Sequence, residues 1–363
     1  MSITVGFIGL GLIGGSIAKS LKKADSSIYT VAYNRSKDPL LEAVKDGVID
    51  ESAFDINEAF SKCNIIFLCT PVEYNSIYLS KASEVAPPDC IITDVGSVKG
   101  HIHNTVNELK LTNRFIGGHP MAGSEKTGYA ASSDILLENA YYAITPTKET
   151  TTAQLNFYRE LVKMMGAIPI VVEPDIHDYA VAGISHVPHL IASSLVNLVR
   201  ENDTQDELMK LLAAGGFKDI TRIASSSPEM WSQICSTNKE QISFILQKYI
   251  DLLCNVKAMV DSKNSQGIYD MFAESREYRN SISINTKGVI TARYTIFCNI
   301  EDKKGALNAI TELLYSNHIS IKNIEIIHNR EYKDGALLVE FYDEQSYNNA
   351  RMALTDAGYM IYH

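Results

Sequence analysis

His119 stands where an apolar run breaks into paired glycines, Phe115-Ile116-Gly117-Gly118-His119-Pro120-Met121-Ala122-Gly123-Ser124-Glu125-Lys126. A neutral imidazole projecting from such a strand end can take the proton of a hydroxyl while hydride leaves the same carbon. Ser97 and Ser124 follow comparable strand ends and can orient the imidazole or the hydroxyl, although either serves equally as a turn or helix-capping residue. Lys218 and Arg222 lie four apart on one helical face after Gly215-Gly216. That spacing can clamp a carboxylate through the Arg fork, or form a solvated basic face around Asp219. His186 and His189 share a helical face as well, but no third ligand stands at a suitable spacing and no metal site is expected. They read as structural or substrate-touching residues. Trp231, the only tryptophan, either walls a pocket or belongs to the core.

These side chains need a frame, and the N-terminus supplies its first part. Val5-Gly6-Phe7-Ile8-Gly9-Leu10-Gly11-Leu12-Ile13-Gly14 is an apolar strand ending in G-x-G-x-x-G and passing into a helical pattern. Gly9 permits the tight turn, Gly11 lets the backbone approach a pyrophosphate, and Gly14 lets the helix sit close to the strand. The pyrophosphate then lies over the helix N-terminus, with Leu10, Leu12 and Ile13 between the glycines. The second strand, Ile28–Tyr33, ends in Asn34-Arg35-Ser36. A carboxylate usually stands there to bind a ribose 2′-hydroxyl. Asn34 can bond a free hydroxyl, whereas Arg35 and Ser36 can accept a 2′-phosphate, so NAD and NADP both stay open. Ile65–Pro71 is a buried strand whose end, Thr70 and Pro71, should face the cofactor.

Further strands are expected at Cys90–Val95, Phe115–His119, Tyr141–Pro146 and Ala167–Val172, alternating with helices, which means a parallel doubly wound sheet. From Pro174 to about Glu277 the period becomes helical. A long apolar helix running through His186, His189 and Leu198 is followed by shorter ones and by another long helix over Glu240–Val260. These helices carry more apolar residues than one stripe requires, and a homodimer built through them is expected. Ser281–Thr291 reads as a linker. Beyond it the order is βαββαβ over about seventy residues. The expected class is therefore α/β: a Rossmann-type parallel sheet domain (1–172), an all-α substrate and dimerisation domain (173–280), a linker (281–291) and a ferredoxin-like domain (292–363).

The 363 residues, 45% hydrophobic and 21% charged, are those of a globular protein of two or three domains. No run approaches ~18 consecutive apolar residues, so no membrane span is expected. The N-terminus lacks a basic segment and a cleavage site, and the six scattered cysteines form no C-x-x-C pair; a cytoplasmic protein is expected. A net charge of −10 argues against a nucleic-acid partner and confines any anionic ligand to a locally basic pocket.

With these residues assembled, the chain resembles the prephenate dehydrogenase family. The resemblance rests on Asp94-Val95-Gly96-Ser97-Val98-Lys99, Gly117–Glu125, Ser185-His186-Val187-Pro188-His189 and Gly215–Arg222, in that order. The tail resembles an ACT regulatory domain, with Asp302-Lys303-Lys304-Gly305-Ala306-Leu307 as the loop that meets an amino-acid effector. The resemblance implies NAD- or NADP-dependent oxidative decarboxylation of prephenate to 4-hydroxyphenylpyruvate, in tyrosine biosynthesis. It implies that His119 accepts the hydrogen bond of the ring hydroxyl, that Ser97 positions it, and that Arg222, with Lys218, binds a carboxylate. Ser124, Glu125 and Lys126 then line the entrance, His189 touches substrate, and an aromatic amino acid, tyrosine first, acts through Asp302, Gly305 and Leu307. Arogenate dehydrogenase differs by one amino group on the substrate, which no residue here discriminates. A β-hydroxyacid dehydrogenase would carry a lysine where this chain has Ser185-His186. A non-catalytic dinucleotide and amino-acid sensor would have no use for His119, Ser97 and Arg222 together.

Overall fold

In the computed structural model, which describes residues 3–123, 126–282, 294–300, 303–327 and 335–362, each apolar run of the N-terminal half becomes a strand. The order is β1 (Thr4–Ile8), α1 (Leu12–Ala24), β2 (Tyr29–Tyr33), α2 (Lys37–Lys45), β3 (Glu51–Ala53), β4 (Ile65–Leu68), α3 (Asn75–Val85), β5 (Ile91–Asp94) and α4 (Gly100–Glu108). Five parallel strands form a sheet in the order β3-β2-β1-β4-β5. Such strands are buried on both faces, which is why β4 reads as an unbroken apolar run and why Thr93 and Asp94 of β5, though polar, are enclosed. One core cluster gathers Phe7, Ile17, Leu21 and Phe67 with Tyr142 and Tyr158, and a second gathers Ile8, Ile66, Leu79 and Ile102. Phe7 and Phe67 stack across adjacent strands with ring centroids 5.6 Å apart.

Next come β6 (Ile116–Pro120), β7 (Tyr141–Pro146), α5 (Thr152–Met164) and β8 (Ile168–Val171). Phe115 bridges Ile92 in parallel, so β6 follows the direction of β5. The expected all-parallel sheet needs correction here, because β7 runs antiparallel to β6 and parallel to β8. A parallel return requires a crossover, usually a helix. Between β6 and β7 the described chain forms only a short turn, Tyr129–Ala131, and comes back the other way.

α6 (Pro174–Val181) and α7 (Val187–Asn202) are joined by a π-helical segment, Ala182–His186. By length and a mean hydropathy of 1.2, Pro174–Asn202 is apolar enough to cross a membrane, which counting consecutive apolar residues did not register. Within it His177, Asp178 and His186 are buried, and Asp178 and His186 bond groups of the α4 N-terminus and of Asn238, while most of its other side chains are not enclosed by the described residues. α8 (Leu208–Leu212), α9 (Gly215–Thr221), α10 (Pro228–Thr237), α11 (Lys239–Asp261) and α12 (Ser265–Ser281) complete this unit, residues 1–282. Val98 packs among Ala182, Val187, Ile234 and Ile242, so the loop after β5 is held by the helical region.

The second unit, residues 283–363, holds β9 (Thr295–Ile300), α13 (Ala306–Ser316), β10 (Ile321–Ile327), β11 (Gly335–Phe341), α14 (Glu344–Asp356) and β12 (Ile361–Tyr362). The elements follow the expected βαββαβ order, with an antiparallel sheet β10-β11-β9-β12 over its own core of Ile296, Cys298, Ile310, Leu314, Leu337 and Val339. Gly305 precedes α13 and Leu307 is exposed on its first turn, whereas Asp302 lies outside the described residues. Most of the expected linker, from residue 283 onward, also lies outside them.

Candidate active site

The turn between β1 and α1 is shaped as its glycines require. Gly9 adopts φ +103°, and a Cβ there would stand 2.6 Å from the carbonyl oxygen of Cys69. A Cβ on Gly14 would collide with the carbonyl of Gly9, so strand and helix meet as closely as backbone allows. Gly11, the N-cap of α1, instead has nothing within 4 Å of where its Cβ would be. Open space over a helix N-terminus fits a pyrophosphate, so the cradle suits a dinucleotide. Leu10 is buried and Leu12 and Ile13 are half-buried behind it. The Leu10 N–H donates to Asn34 Oδ1 at 3.0 Å, and Asn34 Nδ2 donates to the carbonyl of Ser36 at 3.0 Å. The Asn34 oxygen is thus committed to the loop, while Arg35 and Ser36 are exposed. Thr70 donates to Asn75 Oδ1 at 3.0 Å, and Pro71 opens the short turn after β4.

His119 lies near the carboxyl end of β6, in a second sheet (β6-β7-β8) that meets β5 in parallel through the Phe115–Ile92 bridge. A Cβ on Gly118 would collide with the Tyr158 hydroxyl and lie 2.8 Å from the Asp94 carbonyl, so the residue before His119 can only be glycine. Lys99, with no exposed surface, forms a short buried ion pair with Asp94 and donates to the Gly118 carbonyl at 2.6 Å. Asp94 also accepts from Gly96 N at 2.9 Å and Gly118 N at 3.3 Å. Burial pulls the Lys99 ammonium below the usual lysine range, and the Asp94 charge pulls it back. Together these contacts tie the ends of β5 and β6. Ser97 is half-buried in the loop they enclose.

His119 Nδ1 stands 2.8 Å from His177 Nε2, the rings meeting at 73°. His177 Nδ1 donates to Asp178 Oδ1 at 2.8 Å. Burial, reinforced by His177, Lys99 and His186, holds the His119 imidazole well below the usual histidine range, so it is neutral near pH 7. Asn238 Nδ2 reaches the Asp178 carbonyl at 2.9 Å and His186 Nδ1 at 3.1 Å. His186 is lowered to about 4, chiefly by burial. It meets Trp231 edge-on, and His189 stacks on the same indole with ring centroids 3.8 Å apart.

His189 and Trp231 line a cavity of about 170 Å³ with Ser193, Ile223 and Ser226. His189 Nδ1 donates to the Ser185 carbonyl at 2.8 Å, which turns its Nε2 lone pair elsewhere. Trp231 is therefore a pocket wall. The two histidines of this helix have separate partners and do not converge. Lys218 is exposed on α9, and Arg222 is exposed in the turn that follows, next to Ile223 of the cavity wall. Lys126 is exposed in the loop after β6. Ser124 and Glu125 lie outside the described residues.

Two family models match the chain: the nucleotide-binding domain of prephenate dehydrogenase over residues 17–171 and its dimerization domain over residues 173–274. The prephenate dehydrogenase of Bacillus subtilis is 35% identical over 98% of this chain and 96% of its own length. The chain belongs to the prephenate dehydrogenase family. It is accordingly an NAD-dependent oxidoreductase. The Lactococcus lactis prephenate dehydrogenase is 34% identical over 96% of this chain and 97% of its own. Among solved structures, the Aquifex aeolicus prephenate dehydrogenase in complex with hydroxyphenyl propionate and NAD+ superposes with a TM-score of 0.73 at 33% identity. It covers 78% of this chain and 99% of that one. A Synechocystis arogenate dehydrogenase gives 0.71 at 30% identity, over 77% of this chain and 100% of that one.

No local spacing in the sequence marks His177, Asp178 and Asn238, which the fold brings behind His119 and His186. His177-Asp178 lies at the end of the first turn of a helix that opens at Pro174, where only Asp175 stands in the place the macrodipole favours. Asn238 caps α11 and reads as ordinary helix punctuation. The available signal was a His-Asp pair between Ile176 and Tyr179, each member needing a partner if buried; Asn238, between Thr237 and Lys239, carried none.

Proposed function

We propose that His119 is the proton acceptor in the oxidative decarboxylation of prephenate to 4-hydroxyphenylpyruvate. The observation that carries this reading is a neutral imidazole, kept so by burial and nearby positive charge, near the carboxyl end of a strand that meets, through β5, the sheet carrying the dinucleotide cradle. Bound over Gly9, Gly11 and Gly14, NAD supplies the hydride acceptor. His119 accepts the hydrogen bond of the ring hydroxyl and holds its proton as hydride leaves the carbinol carbon. When the bond to the ring carboxylate breaks, its electron pair aromatises the ring, carbon dioxide departs, and His119 returns the proton to the phenolic oxygen. Atoms and charge balance with no external base. Ser97 orients the hydroxyl, and Arg222 with Lys218 supplies the local positive charge that a dianionic substrate needs in an acidic chain. Ser124, Glu125 and Lys126 line the entrance, and His189 touches the substrate side chain.

The domain division follows from this reading: nucleotide binding over 1–172, substrate binding and dimerisation over 173–280, a linker over 281–291, and an ACT domain over 292–363. Leu198, Leu211, Leu252 and Phe272, all more than half exposed, give the helical region an apolar surface suited to a second copy. Tyrosine is the proposed effector of the tail, acting at Asp302, Gly305 and Leu307. It should inhibit the full chain and leave a chain ending at Ile282 indifferent.

The test is the absorbance of reduced cofactor, crossing prephenate and arogenate with NAD and NADP. Reduction with prephenate and NAD is expected. Reduction with arogenate alone would move the substrate assignment, and no reduction with either would overturn the reading.

A further inference from the structure

The groups behind His119 form a chain with one direction. Asp178 is 5% exposed, and its carboxylate takes three N–H groups: Lys99 N at 2.7 Å, Gly100 N at 2.7 Å and His177 Nδ1 at 2.8 Å. Burial works against the Asp178 charge, but these bonds outweigh it and hold the carboxyl below its usual range. An ionised carboxylate has no proton to give, so His177 Nδ1 is the donor. In a neutral His177 the other nitrogen then carries a lone pair. It faces His119 Nδ1 at 2.8 Å, a contact that is a hydrogen bond only if His119 Nδ1 holds the proton. One nitrogen of His119 remains, and it is bare.

We propose that His177 and Asp178 are positioning residues: Asp178 fixes the tautomer of His177, and His177 fixes His119 with its proton on Nδ1 and the Nε2 lone pair free for the substrate hydroxyl. This rests on His119 being the proton acceptor. Without it, imidazole favours no useful orientation, and a proton on Nε2 would turn the base into a second donor. The same chain places the Asp178 charge one ring away when His119 holds the substrate proton. Asp178 also bonds the first N–H groups of α4, so its removal would disturb that helix. His177 separates the two roles, because its replacement leaves those bonds intact.

The test uses the full-length enzyme labelled with ¹⁵N at histidine, with steady-state kinetics on prephenate and NAD beside it. The His119 signal is assigned by its loss in His119→Asn. Wild type should show His119 protonated on Nδ1. His177→Leu should move that proton to Nε2 and lower kcat by roughly 10²-fold or more, with KM changed only a few-fold. His177→Gln can accept from His119 and donate to Asp178, and should recover kcat to within about tenfold of wild type. A wild-type proton on Nε2, or a folded His177→Leu enzyme with normal kcat, overturns the proposal. So does failure of the Gln variant to recover activity, since positioning needs only the two hydrogen bonds. Should His119→Asn itself turn over normally, the proton-acceptor reading fails instead, and the wild-type tautomer still decides the positioning claim separately.

Discussion

Lys99 donates from a fully enclosed ammonium to the carbonyl oxygen of Gly118, 2.6 Å away, so a buried cation grips the backbone immediately before His119. Its partner Asp94 accepts from the Gly118 N–H. Removing one member leaves the other charged and unpaired in the core, at a cost of about 3–5 kcal/mol. Lys99→Met should therefore lower the urea midpoint substantially. An unchanged midpoint would show that the pair does not hold the β5 and β6 ends together.

Arg222 is the proposed carboxylate ligand, and its effect should fall on binding. A charge-assisted hydrogen bond is worth about 1.5–3 kcal/mol, or roughly 10- to 100-fold in affinity. Arg222→Ala should raise the prephenate KM by that factor and leave kcat nearly alone. A wild-type KM would dismiss the clamp.

Cofactor choice turns on the end of β2. Asn34 spends its oxygen on the Leu10 N–H, which leaves Arg35 as the exposed charged side chain beside it. If NADP is used at all, Arg35→Ala should lower its kcat/KM by roughly tenfold and leave NAD within about twofold. An equal loss with both cofactors would mean that Arg35 does not read the 2′ position.

Two buried histidines, His103 and His186, and the half-buried His119 set the pH dependence of stability. Burial is the first cause at each, lowering His103 and His186 to about 4 and His119 well below its usual range. Unfolded, all three would titrate near 6.5. Below that pH the unfolded state therefore binds protons that the folded state refuses. Stability should fall as pH drops from about 6.5 toward 4, by up to about 1.4 kcal/mol per pH unit for each histidine. The depressed Asp178 carboxyl adds its own loss only further down, below the carboxylate range. Urea midpoints at pH 7.5 and 5.5 measure the effect, and His103→Gln should flatten the slope by one proton. Equal midpoints would contradict it.

The sequence made the strand-end residues legible and hid what supports them. Gly9, Thr70, Ser97 and His119 each follow an apolar run, and parallel sheets put ligands at those ends. The direction of β7 was not legible, because a twenty-residue connection is long enough for a crossover, and only the short turn Tyr129–Ala131 among its described residues shows otherwise. His177 and Asp178 were hidden because their partners stand 58 and 79 residues away, beyond the reach of any local spacing. The π-helical segment Ala182–His186 changes which face His186 presents, and periodicity at 3.6 residues cannot anticipate it.

The central claim is that His119 accepts the proton of the substrate hydroxyl. The most direct measurement is kcat for prephenate oxidation by His119→Asn at saturating NAD. Asparagine keeps the size and loses the basic nitrogen, so kcat should fall by roughly 10²- to 10⁴-fold with the prephenate KM little changed. Turnover near that of the wild type would contradict the account.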